Sequence, residues 1–294
     1  MYHIQLLLYA ALFGSSALIF KVISAQLTVY TTVFLRLAIG GFILCIICVA
    51  TKTVIFKKEQ FKRIAFIAIF NFVLPLLIFC YAGNLLDSSI TSILKSLFPV
   101  FTIILSAIIL REKISKIGLI GIFISIIGLI ILNTKPDFSF DKSQIFPSLL
   151  LVLATILYAI SAIFVRIKCK DIPSITNITA SMTLGAIILL PLVALETNFQ
   201  ALRNPHILLA VLYISIFATS IAYIISFHLI KVRGATFAAS GSFLIPLFGI
   251  AFGMIFMSEQ MTANRIIGSI CILTGMSLIL EFYPKVNKKK LVSQ

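Results

Sequence analysis

Acidic side chains are scarce. Nine Asp and Glu stand among 294 residues, charged residues make up 11%, and there are three histidines. No H-E-x-x-H, no G-x-S-x-G and no pair of mid-helix aspartates occurs, so the chain lacks the clusters an enzyme or a metal site needs. His3, His206 and His228 lie at or near the ends of apolar runs. No nucleotide-binding loop is present, so neither ATP as a direct energy source nor any cofactor is expected. Cys45, Cys48, Cys80 and Cys271 fall inside apolar runs and Cys169 in a basic link. That distribution reads as buried thiols rather than a disulfide framework, and Cys45/Cys48 lack the further ligands of a zinc site. Long polar segments are missing too. With 61% hydrophobic residues and a mean hydropathy of +1.16, an ordinary soluble domain is excluded, as is room for a soluble module.

What is there is a series of apolar runs. A membrane-spanning helix needs about 20 mostly apolar residues. Ten candidates are read at 4–23, 28–50, 63–83, 88–110, 115–133, 146–166, 174–195, 206–230, 235–257 and 265–283. The first lacks a basic leader and has full spanning length, so it reads as a retained span rather than a signal peptide. The net charge of +15 sits mostly in the links, which argues for membrane topology and against a nucleic-acid partner. With a cytoplasmic N-terminus, 17 Lys and Arg fall inside and 5 outside, leaving Arg36 and Lys95 within spans. Both termini are therefore expected in the cytoplasm.

The stretch from Leu86 to Leu132 is echoed, at an offset of 147, from Arg233 to Ile279. Leu97, Pro99, Phe101, Glu112, Gly121 and Gly128 fall on Leu244, Pro246, Phe248, Glu259, Gly268 and Gly275. Five spans per half is an odd number, so the second half is expected to be inverted. Arg111-Glu112-Lys113 becomes Ser258-Glu259-Gln260, losing its flanking positive charges as a link on the outer face should. The expected fold is all-α: ten transmembrane helices as two inverted five-helix repeats, 1–133 and 146–283, joined by 134–145 and followed by a basic tail, 284–294. Such pairs of halves are the usual build of a secondary transporter, with the substrate between them.

Lys95 is the sharpest site candidate. A lysine near a helix centre costs about 2.5–3.5 kcal/mol on insertion scales, so it should face a cavity or a partner. It reads either as the anchor for an anionic substrate group or as the partner of Asp87, about two turns away. Its repeat counterpart is Ser242. Asn71, Tyr81, Tyr158 and Tyr223 could orient a small substrate in an apolar cavity, although tyrosine also anchors at interfaces. Arg36 reads as mortar between helices, or as a second cavity charge. Pro99 and Pro246 could kink their spans and expose carbonyls. Glu112 and Glu259 sit before Ser115 and Thr262, candidate N-caps, and read as architectural. The glycines Gly118, Gly121, Gly128, Gly268 and Gly275 suit close helix packing, between halves or in a homodimer. A channel would want a ring of similar groups, which one buried lysine does not make. A receptor or scaffold without transport stays open.

Phe34-Leu35-Arg36, Tyr81-Ala82, Leu97-Phe98-Pro99-Val100-Phe101, Arg111-Glu112-Lys113 and the repeated Pro246, Glu259, Gly268 and Gly275 together resemble the drug/metabolite transporter superfamily, in its ten-span EamA type. The resemblance covers nearly the whole chain. It implies a 5+5 inverted bundle with a central cavity that moves small metabolites, often exporting amino acids or their analogues; with Lys95, the expected substrate is an amino acid or other small organic anion, and the expected location a bacterial inner membrane. Family members often carry a tryptophan in the first span, where this chain has Leu12-Phe13-Gly14 and no tryptophan anywhere. Lys95-Ser96-Leu97-Phe98-Pro99 is similar to a motif of organellar sugar-phosphate translocators, which makes an organic-phosphate or nucleotide-derivative exchanger the alternative. Against that alternative, Ala235–Phe256 lacks the basic pair those proteins carry.

Overall fold

A computed structural model describes residues 2–53, 57–109, 111, 115–134, 142–196, 199–233 and 244–281. Helices are the only extended regular elements among them. Backbone polar groups in lipid must be satisfied within the segment itself, and the helix is the single-chain way to do it.

Ten rods result. They are α1 (Tyr2–Ser24), α2 (Val29–Ala50), α3 (Lys58–Gly83), a broken α4 made of α4a (Ser88–Lys95) and α4b (Phe98–Ile109), α5 (Lys116–Leu132), α6 (Lys142–Lys168), α7 (Ser174–Ala194), α8 (205–233), α9 (Leu244–Met257) and α10 (Ala263–Glu281). Seven are long and apolar enough to cross a membrane, and α5, α9 and α10 are shorter apolar helices. A 17-residue helix such as α5 rises about 26 Å, slightly less than the roughly 30 Å hydrocarbon core. The run read as 88–110 is two helices rather than one. Pro99 has no N–H to give the Lys95 carbonyl, and the chain turns at Ser96–Leu97 through short-range bonds from Ser96 N to the Ile93 carbonyl (3.0 Å) and Leu97 N to the Leu94 carbonyl (3.1 Å).

Local chemistry sets the rod ends. Thr28 caps α2 by accepting from Thr31 N at 3.2 Å, Ser115 caps α5 by accepting from Gly118 N at 3.0 Å, and Asn204 caps α8 by accepting from His206 N at 3.0 Å. Arg111 and Ser258, equivalent at the 147 offset, both leave their helices with left-handed backbone, φ 54° and 53°. Two rods are widened in mid-course. α3 runs as a π-helix over Ala68–Val73 and α8 over Ile216–Ile221, 148 residues later. In α8 the widened turn is tied down by hydroxyls: Thr219 donates to the Ile214 carbonyl (2.8 Å) and Ser220 to the Ser215 carbonyl (3.1 Å).

The rods pair in a regular way. α5 lies along α10 and α2 along α7; α1 packs on α9 and α8, while α6 packs on α4b and α3. Glycine makes the α5–α10 seam. A Cβ on Gly128 would stand 2.7 Å from the Gly268 carbonyl oxygen, and one on Gly268 would stand 2.8 Å from that of Gly128. These backbones touch, so the glycines are used between rods of one chain. Apolar side chains face outward from the same rods, Phe123 at 68% exposure and Ile255 at 70% among them, as a surface bathed in lipid tails requires.

Candidate functional site

The break in α4 opens a crevice at the centre of the bundle. Phe13, Ser16 and Phe20 of α1, Arg36 of α2, Phe79 of α3, Thr91, Ser92 and Lys95 of α4a and Tyr158 of α6 line it. The space available to the centre of a water molecule is about 10 Å³, roughly one water's worth. A substrate enters only if the rods part.

Two cations line the crevice without an acid among the described residues. Lys95 ends α4a and is half-buried; its ammonium lies 4.8 Å from the Phe13 ring centre and 5.6 Å from that of Phe79. Among the described residues its one hydrogen bond runs to Ser16 Oγ at a long 3.4 Å. Arg36 is 2% exposed. Its Nε donates to Thr219 Oγ1 at 2.6 Å, its Nη2 reaches the Ala218 carbonyl at 3.4 Å, and its guanidinium lies 4.9 Å from the Phe20 ring centre. Arg36 thus ties α2 to the widened turn of α8 while lining the crevice. Cation–π contact is worth about 0.5–2 kcal/mol per pair, a partial substitute for a counter-ion. Thr91 Oγ1 and Ser92 Oγ, buried in the same wall, have no hydrogen-bond partner.

At the other end of α4a the charges are balanced. Glu259, from the link between α9 and α10, accepts from Ser88 N (2.7 Å), Ser88 Oγ (2.8 Å), Ser89 N (3.0 Å) and Ser89 Oγ (2.6 Å). Burial alone would raise its pKa, but the donors of Ser89 and Ser88 outweigh that and hold it below the usual carboxylate value. Lys21 lies 3.7 Å from both Glu259 and Asp87, and Arg265 lies 2.6 Å from Asp87. Asp87 is therefore committed to Lys21 and Arg265, which removes the ion pair weighed for Lys95.

Of the residues singled out in the sequence, Lys95, Tyr158 and Arg36 line the crevice. Asn71 and Tyr223 do not line it, although Tyr223 lies edge-on to Phe13, which does, at 5.5 Å. Tyr81 is half exposed on the outside of α3 and does not reach the crevice. Pro99 sits at the start of α4b and Pro246 at the start of α9. Ser242 and Glu112 lie outside the described residues. Glu259 reaches across to α4a rather than capping the helix after it, whose candidate cap Thr262 accepts from Arg265 N at 3.4 Å. Ser16, Thr91, Ser92, Phe13 and Phe79 were missed. The run Ser88-Ser89-Ile90-Thr91-Ser92, polar within an apolar chain, was the available signal. No group of three His, Cys, Asp or Glu able to hold a metal is found among the described residues.

Comparison with known proteins agrees with this geometry. The profile described as the EamA-like transporter family matches residues 1–134 and again 145–281. An uncharacterized transporter of Archaeoglobus fulgidus is 26% identical over 84% of this chain and 87% of its own length. The uncharacterized transporter YoaV of Bacillus subtilis is 24% identical over 82% and 84%. A solved crystal structure of a protein with 14% identity superposes with a TM-score of 0.70, covering 98% of this chain and 99% of that one, which shows a common fold.

Proposed function

Since the chain belongs to the EamA-like transporter family, and is an integral membrane transporter rather than an enzyme, we propose that it is a secondary transporter of a small organic anion. It works by alternating access between two inverted halves, 1–133 and 146–283. The observation that carries this reading is the crevice at the α4 break, where Lys95 and Arg36 face unpartnered hydroxyls with no carboxylate among the described residues around them.

The inverted architecture draws support from the molecule's own correspondences. The π-helical turns of α3 and α8 and the left-handed residues Arg111 and Ser258 recur near one offset. The pairings of α1 with α9 and α8 mirror those of α6 with α4b and α3, and α2–α7 and α5–α10 pair like with like. Exchange of the two halves leaves such a pattern unchanged, as two states of opposite access require. The basic links support cytoplasmic termini. In each turnover the anion displaces the aromatic faces from Lys95, the rods close around it, and the opposite side opens.

The test is flux in proteoliposomes, with anions, zwitterions and neutral compounds, on the wild type and Lys95→Ala. Anion flux lost in a folded Lys95→Ala protein supports the reading. Flux of neutral or cationic compounds alone, or anion flux intact in the variant, overturns it.

A further inference from the structure

We propose that the occupant of the crevice is a small organic dianion without an ammonium group, with Arg36 and Lys95 as its two anchors. This rests on the anion-transporter reading and narrows it. Charge comes first. Arg36 and Lys95 share one nearly closed crevice, and no carboxylate lies within 4 Å of either among the described residues. Asp87 and Glu259 are taken up by Lys21, Arg265, Ser88 and Ser89 at the far end of α4a, and Glu196 accepts from Thr28 and Thr31 at the start of α2.

Arg36 is only partly used by the fold. Nε and Nη2 are bonded to Thr219 and Ala218, while Nη1 has no protein partner among the described residues. Lys95 has one long bond. Rings on Phe13, Phe20 and Phe79 attend both cations but cannot neutralise them. A monoanion would leave one buried positive charge unbalanced, which is costly at this depth. An amino acid would bring a third positive charge into a wall that offers it no carboxylate, and like charges brought together reject a ligand. This disfavours the amino acids that the family resemblance puts first. Thr91 and Ser92 supply two further donors for acidic oxygens, and both are at least nine-tenths buried and unpartnered.

Carboxylate and phosphate oxygens share this chemistry, so the experiment separates them. Uptake into proteoliposomes is compared for succinate, glycerol 3-phosphate, butyrate and aspartate. Succinate and butyrate differ by one carboxylate, and succinate and aspartate by the ammonium. We expect one or both dianions to move, with butyrate and aspartate slower by about tenfold or more. Preference for succinate over glycerol 3-phosphate identifies a dicarboxylate, and the reverse an organic phosphate. Arg36→Gln should erase the preference over butyrate, and the wild-type panel decides the matter if that variant does not fold. Butyrate moving as fast as succinate overturns the dianion while leaving the anion transporter intact. Aspartate preferred over both dianions overturns the dianion in the same way, since it is still an anion. Movement of neutral or cationic compounds alone overturns both readings.

Discussion

The two ends of α4a, eight residues apart at most, are built on opposite principles. At Ser88 and Ser89 every charge has a partner: Glu259 takes four donors, and Lys21, Asp87 and Arg265 close the network. At Lys95, among the described residues, two cations have rings and hydroxyls but no acid, and two hydroxyls have no hydrogen-bond partner. A balanced set of buried charges fixes the position of a helix. An unbalanced set, kept despite its cost, is what a binding site for the missing charge looks like. On the proposed function, one short helix carries a structural end and a functional end.

The sharpest way to break this contrast is to neutralise each end. Glu259→Gln strips the balanced end of its acceptor charge and leaves Lys21 without that partner. It should destabilise the fold by about 3 kcal/mol, as breaking a buried pair does, with transport falling only as folded protein is lost. Without tryptophan, unfolding is best followed by circular dichroism in detergent. The pH dependence has a definite sign. The native pKa of Glu259 lies below its unfolded value, so its contribution is complete above about pH 4.3 and fades as pH falls through the native value. The gap between wild type and Glu259→Gln should therefore narrow below about pH 4.

Lys95→Met removes the surplus charge instead. Anion flux should fall by about 100-fold, the scale of a lost charge-assisted bond, while thermal stability holds or rises because no acid is left stranded. A loss of stability as large as that of Glu259→Gln would show that both ends are structural, and the contrast would collapse.

The glycine seam supplies a reference for purely structural damage. Gly268→Val would press a side chain onto the Gly128 carbonyl and the Leu132 backbone, 2.8 Å from the first added carbon. A cost of about 1–3 kcal/mol is expected, with substrate preference unchanged. Gly83→Ala at the crevice edge meets Thr91 Cγ2 at 3.6 Å and Thr91 Oγ1 at 3.8 Å, ordinary contacts, and should fold as the wild type does. A shifted substrate preference in Gly268→Val would mean that the seam, too, shapes the site.

The rods were legible because lipid leaves the backbone one solution: each helix lies on an apolar run, and Ser115 is the cap its position suggests. The crevice was legible only through its charges. Lys95 and Arg36 stand out because ionised groups are rare inside apolar runs, whereas Ser16, Thr91 and Ser92 look like any small packing residues. Glu259 was readable as architectural but not as the clamp on Ser88, since 171 residues separate them and no local pattern encodes a tertiary reach. The break at Ser96–Leu97 was half legible. Pro99 announced a lost bond, and only packing decided that the result was two helices rather than a kink.

The smallest effect probes the hydroxyls. Thr91→Val keeps the shape of the side chain and deletes an oxygen that is buried and unpartnered. A buried donor already paired within the fold would cost about 1–3 kcal/mol to disturb. An unpartnered one costs nothing to remove, so the melting temperature of Thr91→Val should stay level or rise. Its loss should appear only when substrate is present, as a KM raised severalfold, the worth of about one hydrogen bond. The same holds for Ser92→Ala, whose oxygen packs against Gly249 of α9. A destabilised Thr91→Val with an unchanged KM would move Thr91 from the functional end of α4a to the structural one, and the boundary between the two ends would then lie beyond it, at Lys95 itself.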